Sequence, residues 1–385
     1  MVSYSSVQGT PCHLSKPLLD RLRSELGFEG IIVSDFDALE KISSISSNGT
    51  GAGACTGLRD VISASLNAGV DMVMTSGGMY GGTRLQEQLG FVKEAVASGT
   101  IPAGRIDEAV RRIARAKFLL GLAPGATPPV DPASFHDCVG CAEHREVARQ
   151  AVAHSLVLLV NRDDVLPLDP HAAGSVIVVG AGAHDLGMQC GGWSGEWQGS
   201  KGNSWTRGTT LWEGVRTACP TATLHIDPSQ AQAAVHFAPP SADGGGPLAI
   251  FICGEPPYAE GGGDVHEVAL SASDGAVVDM LADHGARVVL LLLSGRPLAI
   301  AQCTLERIWA LVACWLPGTE GGGVADVLFG ARPFSGKTSF AWPRQPHHGR
   351  IEERTLDPLF ACSSGLATKP WPPSQSGVSV LQRDC

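Results

Sequence analysis

No apolar run in these 385 residues approaches the roughly 20 needed to cross a bilayer, so no membrane is expected as a partner. Positive charge is also scarce. Twenty-eight Lys and Arg stand against 38 Asp and Glu, a net charge of -10, whereas a nucleic-acid partner would want a basic face. The opening Met-Val-Ser-Tyr-Ser-Ser has neither the charged region nor the apolar core of a signal peptide, and no compartment is indicated. The 11 cysteines are an odd number scattered along a long chain, not the dense framework of a small secreted domain. Cys138 and Cys141 form one Cys-x-x-Cys without a second pair, so a metal site there is not expected. No internal repeat is present, and Asn48-Gly49-Thr50 is a glycosylation sequon that matters only in a secreted chain.

What is present suits a large globular protein of two domains. Leu18, Leu19, Leu22 and Leu26 recur at helical spacing up to Gly27, and residues 31–34 then read as a short buried strand. After a Ser/Gly-rich loop at 43–57, Leu58, Ile62 and Leu66 mark a helix closed by Gly69, and residues 70–74 read as a second strand. Two helices follow, the second with Ile106, Val110, Ile113 and Leu120 on one face. Residues 1–122 are thus expected to be part of a parallel α/β domain, and 123–141, rich at first in Pro, Gly and Ala, a linker. A second α/β domain is expected over 142–368. Its helix lies around 143–152, its apolar strands at 156–160, 176–179, 248–253, 288–293 and 308–314, and a crossover helix at 276–284. Residues 369–385 form a Pro/Ser-rich tail.

Several stretches could carry chemistry. The strand 31–34 runs into Asp35, and the C-terminal edge of a parallel sheet is where chemistry is done, although an N-cap is the plain alternative. Asp35-Phe36-Asp37 departs from the phosphatase nucleophile motif, because Ala38-Leu39 follows. Gly180-Ala-Gly182 departs from the dinucleotide fingerprint, because position 185 is Asp. The loop 254–264 gathers three carboxylates, a tyrosine and four glycines at a strand end, an arrangement hard to justify by packing. Trp193 and Trp197 sit four residues apart among glycines, as platforms for a ligand face would.

These stretches together resemble glycoside hydrolase family 3, in particular its plant-type exo-acting β-glucan glucohydrolases and β-glucosidases. The resemblance rests on Ser34-Asp35-Phe36, Arg105-Ile-Asp-Glu-Ala-Val-Arg-Arg-Ile, His154-Ser-Leu-Val-Leu-Leu-Val-Asn161 and the Gly-Gly-Trp loop. It continues through Gly254-Glu-Pro-Pro-Tyr, Ser294-Gly-Arg-Pro297, Trp315-Leu-Pro-Gly-Thr-Glu-Gly-Gly-Gly-Val324 and Asp357-Pro-Leu-Phe360. It implies a TIM-barrel-like first domain, an α/β sandwich second domain and a site where they meet. By motif position Asp35 is implied as nucleophile and Glu260 as general acid/base, with Trp197 and Phe36 as an aromatic clamp, Trp193 beside them and Lys41 near the sugar. Phe36 stands where the family usually has Trp, and Lys41 where close relatives have Arg.

The implied chemistry asks for these residue types. An oxocarbenium-like transition state needs one ionised carboxylate to attack the anomeric carbon and one protonated carboxyl to donate to the leaving oxygen. Asp35 is therefore expected to be held ionised by hydrogen bonds, and Glu260 to be desolvated. No metal or organic cofactor is required; the expected partner is a β-glucan oligosaccharide or a β-glucoside. The resemblance covers only the last strand-helix units of the family's barrel, and its earlier sugar-holding residues have no counterpart before Met1. Two outcomes are therefore carried: a working glycosidase, or a sugar-binding or inactive protein that retains both carboxylates. The chain alone is expected to turn over little substrate and to expose an apolar sheet edge.

Overall fold

The computed structural model describes residues 1–47, 55, 57–78, 83, 85–122, 124–125, 138–170, 176–239, 244–346 and 357–369. The sequon, much of the Ser/Gly-rich loop, most of 123–134 and nearly all of the tail lie outside them. The chain divides into two compact units, Met1–His136 and Asp137–Cys385.

The first unit opens with a hairpin of β1 (Ser6–Val7) and β2 (Thr10–Pro11), followed by a 3-10 turn at Cys12–Leu14. Its helices are α1 (Lys16–Ser24), α2 (Ala38–Ser47), α3 (Leu58–Ala68), α4 (Leu85–Ala97) and α5 (Ala103–Leu119). The two expected strands are shorter than their apolar runs suggest. Residues 31–34 and 70–74 do run parallel, but as a single bridge, Val33 to Met72, with Ser34 N donating to Met72 O at 2.9 Å. Val2 N donates to Val33 O from the other side at 2.9 Å. A parallel pair gains its ladder from further strands, and two short segments make too few backbone bonds to extend one.

Charge supplies what the missing ladder does not. The Asp71 side chain is fully buried and accepts from Arg23 (2.6 Å), Arg105 (2.8 Å), Arg112 (2.9 Å) and the amide of Ile32 (2.9 Å). This cluster ties α1 and α5 to the bridge. It also narrows the expected apolar face of α5: Ile106 packs against a core cluster, but Val110 is 57% exposed and Leu120, just past the helix end, 62%, and guanidinium groups join the aliphatic contacts in holding the helix down. An open groove of about 430 Å³ in this unit is lined by Val2, Leu18, Leu22, Leu26, Phe28 and Ile31.

The second unit is built on a six-stranded sheet. Its strands are β3 (Val157–Asn161), β4 (Val176–Val179), β5 (Thr223–His225), β6 (Leu248–Gly254), β7 (Arg287–Leu293) and β8 (Ile308–Trp315), in the order β3-β8-β7-β6-β4-β5. All neighbours are parallel except β3 with β8. A separate antiparallel pair joins β9 (Trp342–Pro343) to β10 (Pro358–Phe360). The helices are α6 (Ala142–Ser155), α7 (Leu186–Cys190), α8 (Leu211–Ala218), α9 (Pro228–Phe237), α10 (Ala272–Asp283), α11 (Gln302–Arg307) and α12 (Gly321–Leu328). Thr210 and Glu213 form a capping box on α8, and Ser271 caps α10.

Continuous apolar strands need cover on both faces, and the side-chain alternation assigns it. Leu248, Ile250 and Ile252 of β6 face a core shared with α6, α8 and α12; Ala249, Phe251 and Cys253 face one shared with α9, α10 and α11. The result is a three-layer α/β sandwich. Two bidentate pairs, Arg145 with Glu320 and Arg149 with Asp326, fix α6 against α12 and the loop before it.

Candidate active site

Asp35 stands at the end of the bridged segment in the first unit. Its backbone N–H donates to Nε2 of the fully buried His13 at 3.1 Å, and its Oδ1 accepts the N–H of Phe36 at 2.8 Å. Buried Ser34 steadies the turn from below, its Oγ donating to Asp35 O at 2.9 Å and accepting from Met74 N at 2.8 Å. Asp37, with φ of 52°, accepts from Ser76 N at 2.6 Å and holds the far side. Phe36 is 41% exposed. The Lys41 ammonium lies over the Tyr4 ring, 4.1 Å from its centroid and 3.1 Å from its hydroxyl, which in turn bonds Phe36 O. Tyr4 therefore joins Lys41 to the backbone beside Asp35, a role the sequence reading missed.

Glu260 and the two tryptophans lie in the second unit, on loops beyond the C-terminal ends of β4 and β6. Glu260 opens a 3-10 turn at Glu260–Gly263 with φ of 49° and is exposed, so the desolvation expected for it is not supplied among the described residues of its own unit. Trp193 is 70% and Trp197 51% exposed, with ring centroids 6.4 Å apart. Trp193 and Glu260 both adopt left-handed backbone conformations, which non-glycine residues avoid unless their surroundings impose them.

Those surroundings are specific. Gln198, next to Trp197, clasps the backbone of Ala259, next to Glu260: its Oε1 accepts Ala259 N at 2.9 Å and its Nε2 donates to Ala259 O at 3.1 Å. The two loops approach so closely that a Cβ on Gly192 would lie 2.0 Å from Tyr258 O. Beneath them Glu255 receives Arg296 on both oxygens, the Ser294 hydroxyl at 2.7 Å and the Tyr258 hydroxyl at 3.0 Å. Arg296 also stacks 4.8 Å from the Tyr258 ring centroid and donates to Gly263 O at 2.8 Å. Burial, reinforced by the Glu255 carboxylate, pushes the Tyr258 hydroxyl up to about 12, so it remains a donor. Glu255 and Ser294 line a pocket of about 130 Å³ with Met188, Gly191 and Leu316.

Sequence reasoning quoted Glu255 and Arg296 within motifs but gave them no role. A signal existed, since both follow within three residues the ends of strands expected to be parallel. His13 had none, being a lone histidine in a polar stretch. The dinucleotide alternative fits the structure poorly: Gly180 turns at φ of 105° hard against Ile252 O, where a phosphate would need open space. At the Cys-x-x-Cys, Cys138 Sγ lies 3.9 Å from His144 Nε2, and among the described residues no cluster of three metal-binding side chains forms.

Comparison with known proteins gives a consistent result. Residues 1–116 match the Glycosyl hydrolase family 3 N terminal domain, and residues 156–367 the Glycosyl hydrolase family 3 C-terminal domain. The chain is 31% identical to the lysosomal beta glucosidase of Dictyostelium discoideum, over 95% of this chain and 45% of that protein. Identity to the periplasmic beta-glucosidase of Salmonella typhimurium is 28%, over 89% and 46% respectively. An exo-1,3/1,4-beta-glucanase from a Pseudoalteromonas species aligns in structure with a TM-score of 0.76 at 32% identity, over 97% of this chain and 46% of that one. The chain spans about half the length of the curated relatives it matches.

Proposed function

The chain belongs to glycosyl hydrolase family 3, and from that premise we propose that it carries the two catalytic carboxylates of a retaining exo-β-glycosidase. Its substrates are terminal, non-reducing β-D-glucosyl residues of glucans or β-glucosides. Asp35 attacks the anomeric carbon while Glu260 protonates the departing oxygen; Glu260 then takes a proton from water, which releases the sugar from Asp35. Phe36 and Trp197 offer apolar faces to the sugar rings, Trp193 extends that surface, and Lys41 contributes a polar contact. The reading is supported by the Gln198–Ala259 clasp, which ties the loop of exposed Trp197 to the loop of exposed Glu260, the latter residue and Trp193 standing on left-handed backbone. Structure that serves packing alone has no need of such an arrangement.

A 2-deoxy-2-fluoro-β-glucosyl fluoride tests it, because this reagent traps the glycosyl-enzyme. Mass spectrometry of the purified chain is expected to find one sugar on the peptide containing Asp35, and Asp35→Asn to abolish the labelling together with the slight turnover of an aryl β-glucoside expected of the chain alone. A label on another residue overturns the assignment. Saturable glucoside binding lost in Trp197→Ala, with no label anywhere, supports instead a sugar-binding protein without turnover.

A further inference from the structure

His13 is a fully buried titratable side chain bonded to the candidate nucleophile's backbone, and the mechanism above leaves it unused. Its position and bonding assign its chemical state. The 3-10 turn at Cys12–Leu14 places the ring behind Asp35, at 0% exposure. The Asp35 amide can only donate, so Nε2 must offer its lone pair and the ring proton must reside on Nδ1. Nδ1 is buried with no hydrogen-bond partner among the described residues. A buried donor without a partner is costly, and the arrangement persists because the other nitrogen is committed to Asp35.

The surroundings reinforce the neutral ring. Asp35 is the charged group that acts on it, the Tyr4 ring stands 6.4 Å away, and Cys12 is its chain neighbour. Cys12 of the same turn packs with Leu19 from α1, Ala68 from α3, and Val2, Ile32 and Val70 from the extended segments. Burial lowers the imidazole below its ordinary value, an effect only partly opposed by Asp35.

We propose that His13 is a positioning residue for Asp35, holding its backbone through a neutral imidazole, and that protonation of this ring releases the nucleophile. A second proton would place an N–H on Nε2 facing the Asp35 N–H, two donors with nothing between them. The bond that fixes the end of the bridged segment would then be lost, and with it the register that lets Phe36 N hold the Asp35 carboxylate. The proposal rests on reading Asp35 as the attacking carboxylate, but its physical content is measurable without turnover.

The experiment uses the full chain labelled with 15N. Nitrogen spectra are expected to show His13 with an unprotonated Nε2 and a protonated Nδ1 at pH 7. Amide exchange, corrected for its intrinsic pH dependence, is expected to show Asp35 protection falling about tenfold per pH unit once the pH is below the His13 pKa. His13→Gln keeps an acceptor that does not titrate, so it should retain the protection and remove its pH dependence; His13→Phe should lose the protection at every pH. If the chain turns over glucosides, the acid limb of kcat/KM should shift downward in His13→Gln. The sign for stability is the same: with the folded value depressed, the first unit is most stable above about pH 6.5 and loses stability as the pH falls through the folded value. A proton found on Nε2, or Asp35 protection unchanged in His13→Phe, overturns the proposal. A fluoro-sugar label elsewhere than Asp35, with the His13 results intact, would overturn the nucleophile assignment alone.

Discussion

The two units present their candidate carboxylates on different kinds of support. Glu260 hangs from a sheet whose inner strands are buried on both faces and whose loops are clasped by Gln198 and by the Glu255–Arg296 pair. Asp35 ends a segment joined to its neighbour by one parallel bridge, and its unit is bound together by a buried ion cluster and a neutral histidine. Apolar burial is non-directional and indifferent to pH, so the second unit's support should tolerate small changes of charge. A buried carboxylate serving three guanidiniums is directional and fails when one partner is removed.

Breaking that contrast at its strongest point means Asp71→Asn. It leaves three arginines around a neutral amide and should cost the first unit about 3–5 kcal/mol. All eight tryptophans lie beyond residue 136, so their fluorescence reports the second unit alone. The circular-dichroism melt should therefore lose an early component while the fluorescence melt stays in place; a joint shift of both would show that the units do not differ as described.

The comparison is sharpened from the other side by Glu255→Gln, which should cost about 1.5–3 kcal/mol through its charged hydrogen bonds. The Tyr258 hydroxyl should then titrate below about 12. The chain has only three tyrosines, so ultraviolet titration can follow it, and an unchanged curve would mean that Glu255 does not govern the loop. Smallest is Lys16→Ala. Its pair with Asp20 is 62% and 54% exposed, and losing it should move the melt by no more than about 0.3–0.5 kcal/mol, less in high salt.

Much of the second unit was legible in the sequence because each of its longer strands is a continuous apolar run bounded by turn residues. The expected strand at 176–179 coincides with β4, and those at 248–253, 288–293 and 308–314 lie one residue short of β6, β7 and β8 at one end. The short β5 went unread, since Thr-Leu-His carries no run to detect. In the first unit the same apolar signal at 31–34 and 70–74 overstated the strands, because a ladder depends on neighbours that a local run cannot report.

The sequence by itself determined which residues could act: acids at strand ends and tryptophans among glycines are chemical choices written locally, and family membership follows from their order. Only the tertiary structure decided what holds them. The clasp of Gln198 on Ala259, the convergence of Arg23, Arg105 and Arg112 on Asp71, and the bond from Asp35 N to His13 join residues 22 to 61 positions apart. Such bonds depend on the direction in which a donor or lone pair points once the chain has folded, and no periodicity along the chain encodes that direction.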